Sequence, residues 1–524
     1  MLETVRTIVM GAASPSIGVV ALSLGLAISG CSQTVEPETG SGFPVTAARE
    51  VFADGYRHVR ERYIEPVRVD ELALAGLAGL EQLAPDLTIQ SEGRQISVLA
   101  SGQRIGTFER PYEDDSEGWA DLTAAVLRTG YSSSEQLRQM HPEELYSGIF
   151  SGMLTKLDGY SRYTDAATSE DARASRDGFG GIGVTVSTLE GQSTIMMVLP
   201  DGPAARAGIR EKDRIVAIDG QPMVDTSHDE LIHLLRGREG SELTLTVERG
   251  TPAKRLTMSL IREHIVPQTV WYRRDGNIAH FRISSFNRQT TSELSRLVGL
   301  ARTEIGPEMA GLVLDLRGNP GGLLDQAVGV ADLFLSKGTI IATRGRHPAS
   351  NSSFTATADD IAEGLPIVVL INGRSASASE ILAAALQDQG RAVVVGSNSH
   401  GKGSVQNVAR MPNGGEFIIT WSRLVAPSGY ILDRLGVTPS VCTSGGGAAG
   451  PESVGVIPVA TVNAWHSYAI PDEAIARTLR LGCPAVGEEQ SEDLRLAERV
   501  LRDGQLYAQA LRPWVGTVTA STDS

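Results

Sequence analysis

The spacing of apolar residues divides the chain into segments of different kinds. Residues 45–81 show the three- and four-residue spacing of amphipathic helices, which predicts two helices with a proline between them. The same spacing predicts helices over residues 119–127 and 142–157. Residues 87–108 instead alternate apolar and polar side chains, so a small β insertion is expected in an otherwise helical region.

Farther along the chain, short apolar runs alternate with helical spacing. Buried or half-buried strands are predicted at residues 278–286, 311–316, 367–371 and 393–396. Helices are predicted between them, at residues 290–305, 323–334 and 379–387. This alternation is typical of α/β folds, in which functional sites collect at the carboxyl ends of the strands.

The C-terminal part of the chain begins with a glycine-rich stretch. Residues 444–450 suit a flexible linker, and amphipathic helices are predicted over residues 471–481 and 491–511. These helices could form a dimer contact, cap the core or pack against it as an appendage, and the sequence does not decide among these roles.

The first 44 residues have the form of an export segment. Arg6 precedes an apolar stretch at residues 17–28 that is too short to span a bilayer but suits a signal peptide. It ends in Ile-Ser-Gly-Cys31, which resembles the lipobox of bacterial lipoproteins. We expect lipidation of Cys31, with a plain cleaved signal or a signal anchor as alternatives, and residues 32–44 suit a tether.

Composition excludes several classes of protein. A chain of 524 residues is too long for one core, and with 41% hydrophobic and 21% charged residues it is expected to be globular. The net charge of -15 argues against nucleic-acid binding, which needs clustered Lys and Arg. No His, Asp or Glu cluster has metal-ligand spacing, so neither a metal nor a cofactor is expected.

The three cysteines are too few for a zinc site or a disulfide framework. If the protein is exported, Cys442 and Cys483 can either form a disulfide or remain unpaired thiols, and the sequence does not decide between these alternatives.

Three blocks between residues 178 and 262 resemble a PDZ domain. Residues 179–184, Phe-Gly-Gly-Ile-Gly-Val, are a glycine-rich turn that enters a strand, and the blocks at residues 200–220 and 227–236 follow the family's order. In such a domain, backbone N–H groups of the turn hold a peptide carboxylate and the strand edge accepts an extended peptide. The expected peptide-binding residues are Gly181, Ile182, Gly183 and Val184.

A serine-rich turn and a glycine-flanked lysine carry the candidate chemistry. The sequence Ser-Ala-Ser-Ala-Ser-Glu at residues 375–380 opens a predicted helix, and Lys402 lies between two glycines. Of the 47 basic residues only five are lysines, and Lys, unlike Arg, can lose its proton when buried. A serine nucleophile with a lysine base is therefore the chemistry that suits these segments.

A second glycine turn, Arg-Gly-Asn-Pro-Gly-Gly at residues 317–322, follows the predicted strand at residues 311–316. Glycines at a strand-to-helix turn leave backbone N–H groups free to face a developing oxyanion. The two turns and the lysine loop are all expected at carboxyl ends of strands, which makes a coherent active site.

The order of these blocks resembles that of the carboxyl-terminal processing (tail-specific) serine peptidases. The resemblance runs from residue 142 to residue 441 and rests on the PDZ-like segment and on residues 157–163, 315–322, 375–380, 401–406 and 427–429. It implies a multidomain protein of α+β and α/β class, with a β-rich PDZ-like domain and a peptidase core of crotonase-like ββα units.

The resemblance also implies the roles of single residues. Ser377 would be the nucleophile, Lys402 the general base and Gln406 the residue that orients the lysine. The oxyanion hole would consist of backbone N–H groups, from Ala378 and from either Gly321 or Gly322. A free lysine has a pKa of about 10.4, so burial must lower it, and a glutamine can hold the amine without adding a negative charge.

Other assignments stay open on chemistry alone. Ser375 suits a turn hydroxyl and Ser379 a helix N-cap, so the choice of Ser377 rests on the resemblance. His400, beside Lys402, is the alternative base.

The sequence therefore predicts an exported serine endopeptidase of the bacterial periplasm, lipid-anchored to the membrane, that captures polypeptide C-termini through its PDZ domain. A homo-oligomer or a regulatory adaptor is a further expected association. The alternatives are an inactive PDZ-bearing scaffold and an acyl-CoA enzyme on a related core. The expected segments are a signal peptide (1–30), a tether (31–44), a helical region (45–177), a PDZ domain (178–262), a peptidase core (263–442) and a C-terminal extension (443–524).

Overall fold

A computed structural model describes residues 42–444, 455–469, 471–512 and 514. The predicted signal peptide and Cys31 lie outside these residues, as does most of the glycine-rich linker. Residues Phe43–Ser524 form one unit by their contacts. Among the described residues, no helix is both long and apolar enough to cross a membrane.

The N-terminal region is a helical cluster with one small sheet. Its core contains the buried side chains of Phe52, Tyr56, Trp119 and Phe150. The insertion forms an antiparallel sheet in the order β1-β2-β3. The elements are α1 (Val45–Arg62), α2 (Val69–Leu83), β1 (Leu87–Glu92), β2 (Gln95–Ala100), β3 (Gln103–Glu109), α3 (Ser116–Ser133), α4 (Glu135–Gln139) and α5 (Pro142–Leu154).

Two short elements lead from this region to the next: β4 (Arg162–Thr164) and α6 (Ala166–Asp177). Sequence periodicity did not predict α6, because its residues are mostly small or charged. The helix begins at Asp165, whose side chain accepts a hydrogen bond from the Thr168 N–H, and ends at Gly178 with φ 97°. Cap chemistry thus sets both of its ends.

The segment from residue 178 to residue 262 contains a six-stranded sheet with two helices. Five of its strands follow the order β11-β10-β8-β7-β6, which leaves β6 at an edge, and β9 pairs with β8. A separate pairing of β5 with β12 brings the two ends of the segment together. The elements are β5 (Phe179–Gly181), β6 (Val184–Leu189), β7 (Gln192–Val198), α7 (Pro203–Arg206), β8 (Arg214–Ile218), β9 (Gln221–Pro222), α8 (His228–Leu235), β10 (Glu242–Arg249), β11 (Lys254–Ile261) and β12 (Glu263–Ile265).

The next region contains a seven-stranded sheet in the order β13-β14-β15-β18-β19-β22-β23, with parallel pairing from β14 to β22. A second sheet has the order β17-β16-β21-β20, and β4 pairs with β21. The elements are β13 (Val270–Asp275), β14 (Ile278–Ile283), α9 (Thr290–Ile305), β15 (Gly311–Asp315), α10 (Leu324–Asp332), β16 (Thr339–Arg344), β17 (Ser352–Thr355), β18 (Ile367–Ile371), α11 (Ala378–Asp388), β19 (Ala392–Gly396), β20 (Ser404–Arg410), β21 (Glu416–Val425) and β22 (Val441–Cys442). The expected multidomain class of mixed helix and sheet is confirmed.

The C-terminal extension packs against the seven-stranded sheet, where Ala497 and Val500 join the core that Val313 and Val368 form. Cys442 and Cys483 are joined by a disulfide. The elements are β23 (Gly455–Val456), α12 (Val459–His466), α13 (Glu473–Arg480), α14 (Ser491–Arg502) and α15 (Gly504–Leu511).

The predicted helix over residues 491–511 is wrong, because the chain forms two helices there. Asp503 takes an extended conformation, and its side chain accepts hydrogen bonds from the N–H groups of Gln505 and Leu506. This cap begins a new helix at a position that apolar periodicity alone does not mark.

A buried carboxylate holds α6 to the second sheet. Glu416, on β21, is 2% exposed, and its Oε1 lies 3.1 Å from Arg173 Nη1 and 3.0 Å from Arg176 Nη2. Two cations on one turn of α6 therefore face a single anion on the sheet.

We expect Glu416→Gln to lower the free energy of unfolding by about 3 kcal/mol, because it leaves two partly buried arginines without their anion. The matched control is Glu473→Gln, since Glu473 is 68% exposed and pairs with exposed Arg477; it should cost less than about 1 kcal/mol. Urea unfolding measures both, and equal costs would contradict the assignment.

Candidate active site

The serine turn joins β18 to α11 in a strained conformation. Ser377 immediately precedes α11 and has φ 55° and ψ -111°, a region that residues other than glycine rarely adopt. A serine on a strained turn between a buried strand and a helix is the arrangement of a nucleophile elbow. Sequence patterns do not reveal this backbone strain.

The other two serines of the turn have structural contacts. Ser375 is fully buried, and its Oγ donates to the Leu316 carbonyl at 2.8 Å. Ser379 is also fully buried and donates to the Asn319 carbonyl at 3.0 Å. Ser377 is the member of the run that is partly exposed to solvent.

The lysine loop lies between β19 and β20 and packs closely on another segment. A methyl group at Gly403 would lie 1.9 Å from the Asp433 nitrogen, and one at Gly401 would lie 2.9 Å from the Arg434 carbonyl oxygen. Glycine is therefore required at both positions. The loop contacts residues 432–434 through these glycines.

The side chain of Lys402 is partly buried under an aromatic ring. Its Nζ lies 5.7 Å from the centre of the Tyr160 ring. Burial lowers the pKa of Lys402, and the nearby Arg162 lowers it further, while Glu380 and Asp158 act in the opposite direction. The net shift favours the neutral amine, which is the form that can accept a proton.

Tyr160 lies on a turn that Asp158 organises. The Asp158 carboxylate accepts hydrogen bonds from the N–H groups of Tyr160 and Ser161, each at 2.9 Å. Ser161 Oγ in turn accepts a hydrogen bond from the Thr420 N–H at 3.2 Å, which fixes the turn to β21. From the sequence, residues 157–163 contributed to the family resemblance, but Tyr160 and Asp158 were given no role.

A fully buried carboxylate connects the serine turn to the lysine loop. Glu380 Oε2 accepts from the Ser377 N–H at 2.6 Å, and Oε1 accepts from Ser399 Oγ at 2.5 Å and from the Gly401 N–H at 2.6 Å. Burial raises the pKa of Glu380, and these hydrogen bonds oppose the rise. No role was predicted for Glu380 from the sequence, although a glutamate three residues after a serine is a capping-box signal.

The glycine turn lies against the serine. A methyl group at Gly321 would lie 3.0 Å from the Ala378 nitrogen and 3.0 Å from Ser377 Cβ. The Gly321 N–H already donates to Asn319 Oδ1 at 2.8 Å. The N–H groups of Ala378 and Gly322 have no hydrogen-bond acceptor among the described residues.

Gln406 lies at a bulge of the β20–β21 pairing. Its amide nitrogen donates to Ser404 Oγ at 3.0 Å and to Thr420 Oγ1 at 3.3 Å. The described residues donate no hydrogen bond to its amide oxygen, which is the atom that can accept from an amine. His400 is exposed, and its backbone N–H donates to the Ser375 carbonyl at 2.9 Å.

The expected peptide-binding residues lie where β5 turns into β6. Gly181 ends β5, Ile182 is buried, Gly183 has φ 75°, and Val184 begins β6. Because β6 is an edge strand, its outer N–H and C=O groups are available to an added strand.

One group of potential metal ligands occurs among the described residues: Asp275, His280 and Glu498. Arg273 donates to Asp275 at 3.2 Å, and Arg502 lies 3.9 Å from Glu498. These arginines already supply the positive charge that a cation would bring, so we assign no metal to the group.

Comparison with known proteins identifies the family of the chain. The model of peptidase family S41 matches residues 277–442, and a PDZ domain model matches residues 194–249. A carboxy-terminal-processing protease of Bartonella bacilliformis is 40% identical over 301 residues, which cover 57% of this chain and 69% of that protein. The chain belongs to peptidase family S41.

Two further similarities extend over more of the chain. A probable CtpA-like serine protease of Staphylococcus aureus is 31% identical over 363 residues, covering 68% of this chain and 70% of that protein. The structure of a photosystem II D1 C-terminal processing protease aligns at 23% identity with a TM-score of 0.38, covering 75% of this chain and 92% of that one. This S41 peptidase is a serine-type peptidase with a PDZ domain.

The close packing of the lysine loop leads to a prediction for this S41 peptidase. Gly403→Ala should reduce peptidase activity at least about 100-fold, because its methyl group displaces the loop and small misplacements of a site cost that much. Peptide cleavage at saturating substrate measures the effect.

The matched control is Gly299→Ala on α9, where an added methyl group meets no atom within 4 Å. It should retain full activity. Wild-type turnover by the Gly403 variant would contradict the prediction.

Proposed function

We propose that this S41 peptidase is an endopeptidase that captures polypeptide C-termini in its PDZ domain and cleaves the chain with a Ser377/Lys402 dyad. The observation that carries the proposal is the strained turn at Ser377, which one buried carboxylate connects to the loop of a lysine with a lowered pKa. Gln406 is the proposed orienting residue for the lysine. An inactive scaffold would not need a strained serine and a desolvated lysine.

The proposed reaction proceeds by acyl transfer. The neutral Lys402 amine takes the proton of Ser377 Oγ as that oxygen attacks the scissile carbonyl carbon. Collapse of the tetrahedral intermediate breaks the C–N bond, and the Lys402 ammonium returns the proton to the leaving amine. Water then attacks the acyl-enzyme while Lys402 takes a proton from it; the ester C–O bond breaks, the Lys402 ammonium returns the proton to Ser377 Oγ, and the new C-terminus is released.

The hydrogen bonds that the two glycines already make favour Gly322 over Gly321 for the oxyanion hole. The Gly321 N–H already has an acceptor in Asn319, whereas the N–H groups of Gly322 and Ala378 have none among the described residues. We therefore propose Ala378 and Gly322 as the oxyanion donors. Gly321 supports them because its missing side chain lets the two turns approach closely.

The PDZ domain offers a means to capture C-termini. An extended peptide can add to the free edge of β6, with its carboxylate at the glycine-rich turn that precedes the strand. Gly181, Ile182, Gly183 and Val184 are the proposed binding residues.

Export and lipid anchoring at Cys31 belong to the same proposal. Export rests on the signal-like residues 1–30 and on the disulfide between Cys442 and Cys483, a bond that persists in oxidising compartments. Lipid anchoring rests on the lipobox-like sequence that ends at Cys31.

The dyad is tested with an unstructured peptide that has a free C-terminus. Ser377→Ala and Lys402→Ala should each lower turnover at least about 1,000-fold, because the nucleophile and base act as one unit. Ser379→Ala is the matched control; it should stay active while losing about 0.5–1.5 kcal/mol of stability, because one hydrogen bond to the Asn319 carbonyl is lost while that carbonyl keeps the Ala376 N–H as a donor.

Wild-type turnover in the Ser377 and Lys402 variants would refute the dyad. A C-terminally amidated peptide tests capture in the same assay, and its KM should be at least about tenfold higher because the carboxylate interaction is lost. Equal KM values for acid and amide would refute C-terminal capture. Tail binding by the wild-type protein without cleavage would support the scaffold alternative.

The pH dependence of kcat/KM should rise with the deprotonation of Lys402, with a midpoint below the ordinary value for lysine. Since Arg162 lowers the pKa of Lys402, Arg162→Gln should shift the midpoint to higher pH. Arg128→Gln, at an exposed position on α3, is the control and should leave the profile unchanged. An unshifted midpoint in the Arg162 variant would contradict Lys402 as the titrating base.

A further inference from the structure

The lysine loop receives a side chain from the C-terminal extension, beyond the last residue that the family model matches. Arg480, at the end of α13, donates from Nη2 to the Ser399 carbonyl at 2.7 Å. Its Nη1 donates to the Leu435 carbonyl. One guanidinium therefore bridges the lysine loop and the segment against which that loop packs.

The Ser399 carbonyl lies in the lysine loop two residues before Gly401, and the Leu435 carbonyl belongs to the segment against which the loop packs. Ser399 is fully buried, and its hydroxyl donates to Glu380. Leu435 directly follows the residues that contact Gly401 and Gly403. A methyl group at Gly401 would lie 3.3 Å from Arg480 Nη1, so the guanidinium lies directly against the residue before Lys402.

Arg480 is itself held in place. Asn398, in the lysine loop, donates from Nδ2 to the Arg480 carbonyl at 3.1 Å. Three residues later, the disulfide joins Cys483 to Cys442 at the end of the core. Because the flanking chain is fixed, no further backbone entropy is lost when the Arg480 side chain binds the two carbonyls.

The extension also contacts the serine turn. The Val486 carbonyl accepts a hydrogen bond from the Gly373 N–H at 2.7 Å, and the Val486 N–H donates to Ser397 Oγ at 3.1 Å. Residues 480–486 thus contact both segments that carry the proposed dyad.

We propose that Arg480 is a positioning residue for catalysis: it holds the Ser399–Gly401 backbone so that Lys402 faces Ser377, and the disulfide keeps Arg480 in place. The inference rests on the proposed dyad, since a positioned lysine matters only if the lysine reacts. Arg480 has no contact with substrate in this role. Its loss should therefore lower kcat and leave KM nearly unchanged.

The test compares full-length variants on the peptide with a free C-terminus. Arg480→Ala should lower kcat about 10- to 100-fold, because misplacing a catalytic group by about 1 Å costs that much. Its KM should stay within about threefold of wild type, since peptide binding is unaffected. Arg480→Lys should recover part of the loss, because an ammonium can donate to either carbonyl but lacks the planar fork.

The matched control is Arg477→Ala, one turn earlier on α13, where the side chain is 75% exposed and pairs with Glu473. It should behave as wild type. The rate at which a fluorophosphonate labels the serine should fall in parallel with kcat in the Arg480 variants, which separates loss of reactivity from loss of peptide binding. Thermal unfolding reports whether each variant is folded.

The outcomes separate this inference from the proposed function. Wild-type kcat in Arg480→Ala, with Lys402→Ala inactive, would overturn the positioning role and leave the dyad intact. Wild-type turnover in Lys402→Ala would remove the dyad and this inference with it. If Arg480→Ala does not fold, the Cys442→Ala/Cys483→Ala double variant decides: a lowered kcat at unchanged KM supports the inference, and a wild-type kcat overturns it.

Discussion

The arrangement of the site depends on the buried carboxylate of Glu380. Its three hydrogen-bond donors come from the serine turn and from two positions of the lysine loop, which are separate in sequence. Two of these donors are backbone N–H groups, which cannot reverse their direction. The carboxylate also lies in the first turn of α11, where the helix dipole favours a negative charge. These interactions offset part of the cost of burying the charge, since the pKa of Glu380 is still raised by burial.

The same carboxylate raises the pKa of Lys402, which works against the role of that lysine as a base. A negative charge near Lys402 favours the ammonium form, and the pKa of Lys402 is lowered only because burial and Arg162 outweigh Glu380 and Asp158. The Glu380 carboxylate accepts hydrogen bonds from Ser377, Ser399 and Gly401, and among the described residues it forms no ion pair with Lys402. The fold thus holds the lysine loop with an anion while the lysine itself can become neutral.

The sequence revealed the parts of the fold that depend on local apolar patterns. The buried strands at 367–371 and 393–396 are continuous apolar runs, and helix α9 was predicted at its observed bounds. The second sheet was not predicted, because strands such as β20 mix polar and apolar residues whose burial depends on distant partners. The choice among three serines rested on resemblance, since the strain at Ser377 and the burial of its neighbours arise only in the folded chain.

The segment that covers the lysine also leads to the PDZ domain. Tyr160 and Arg162 lie just before α6, and α6 is held to the second sheet by Glu416. The next residue after α6 is Gly178, and Asp171 on α6 pairs with Arg236 at the end of α8. On its N-terminal side, the PDZ domain is therefore connected to the core by the same short segment that sets the environment of Lys402.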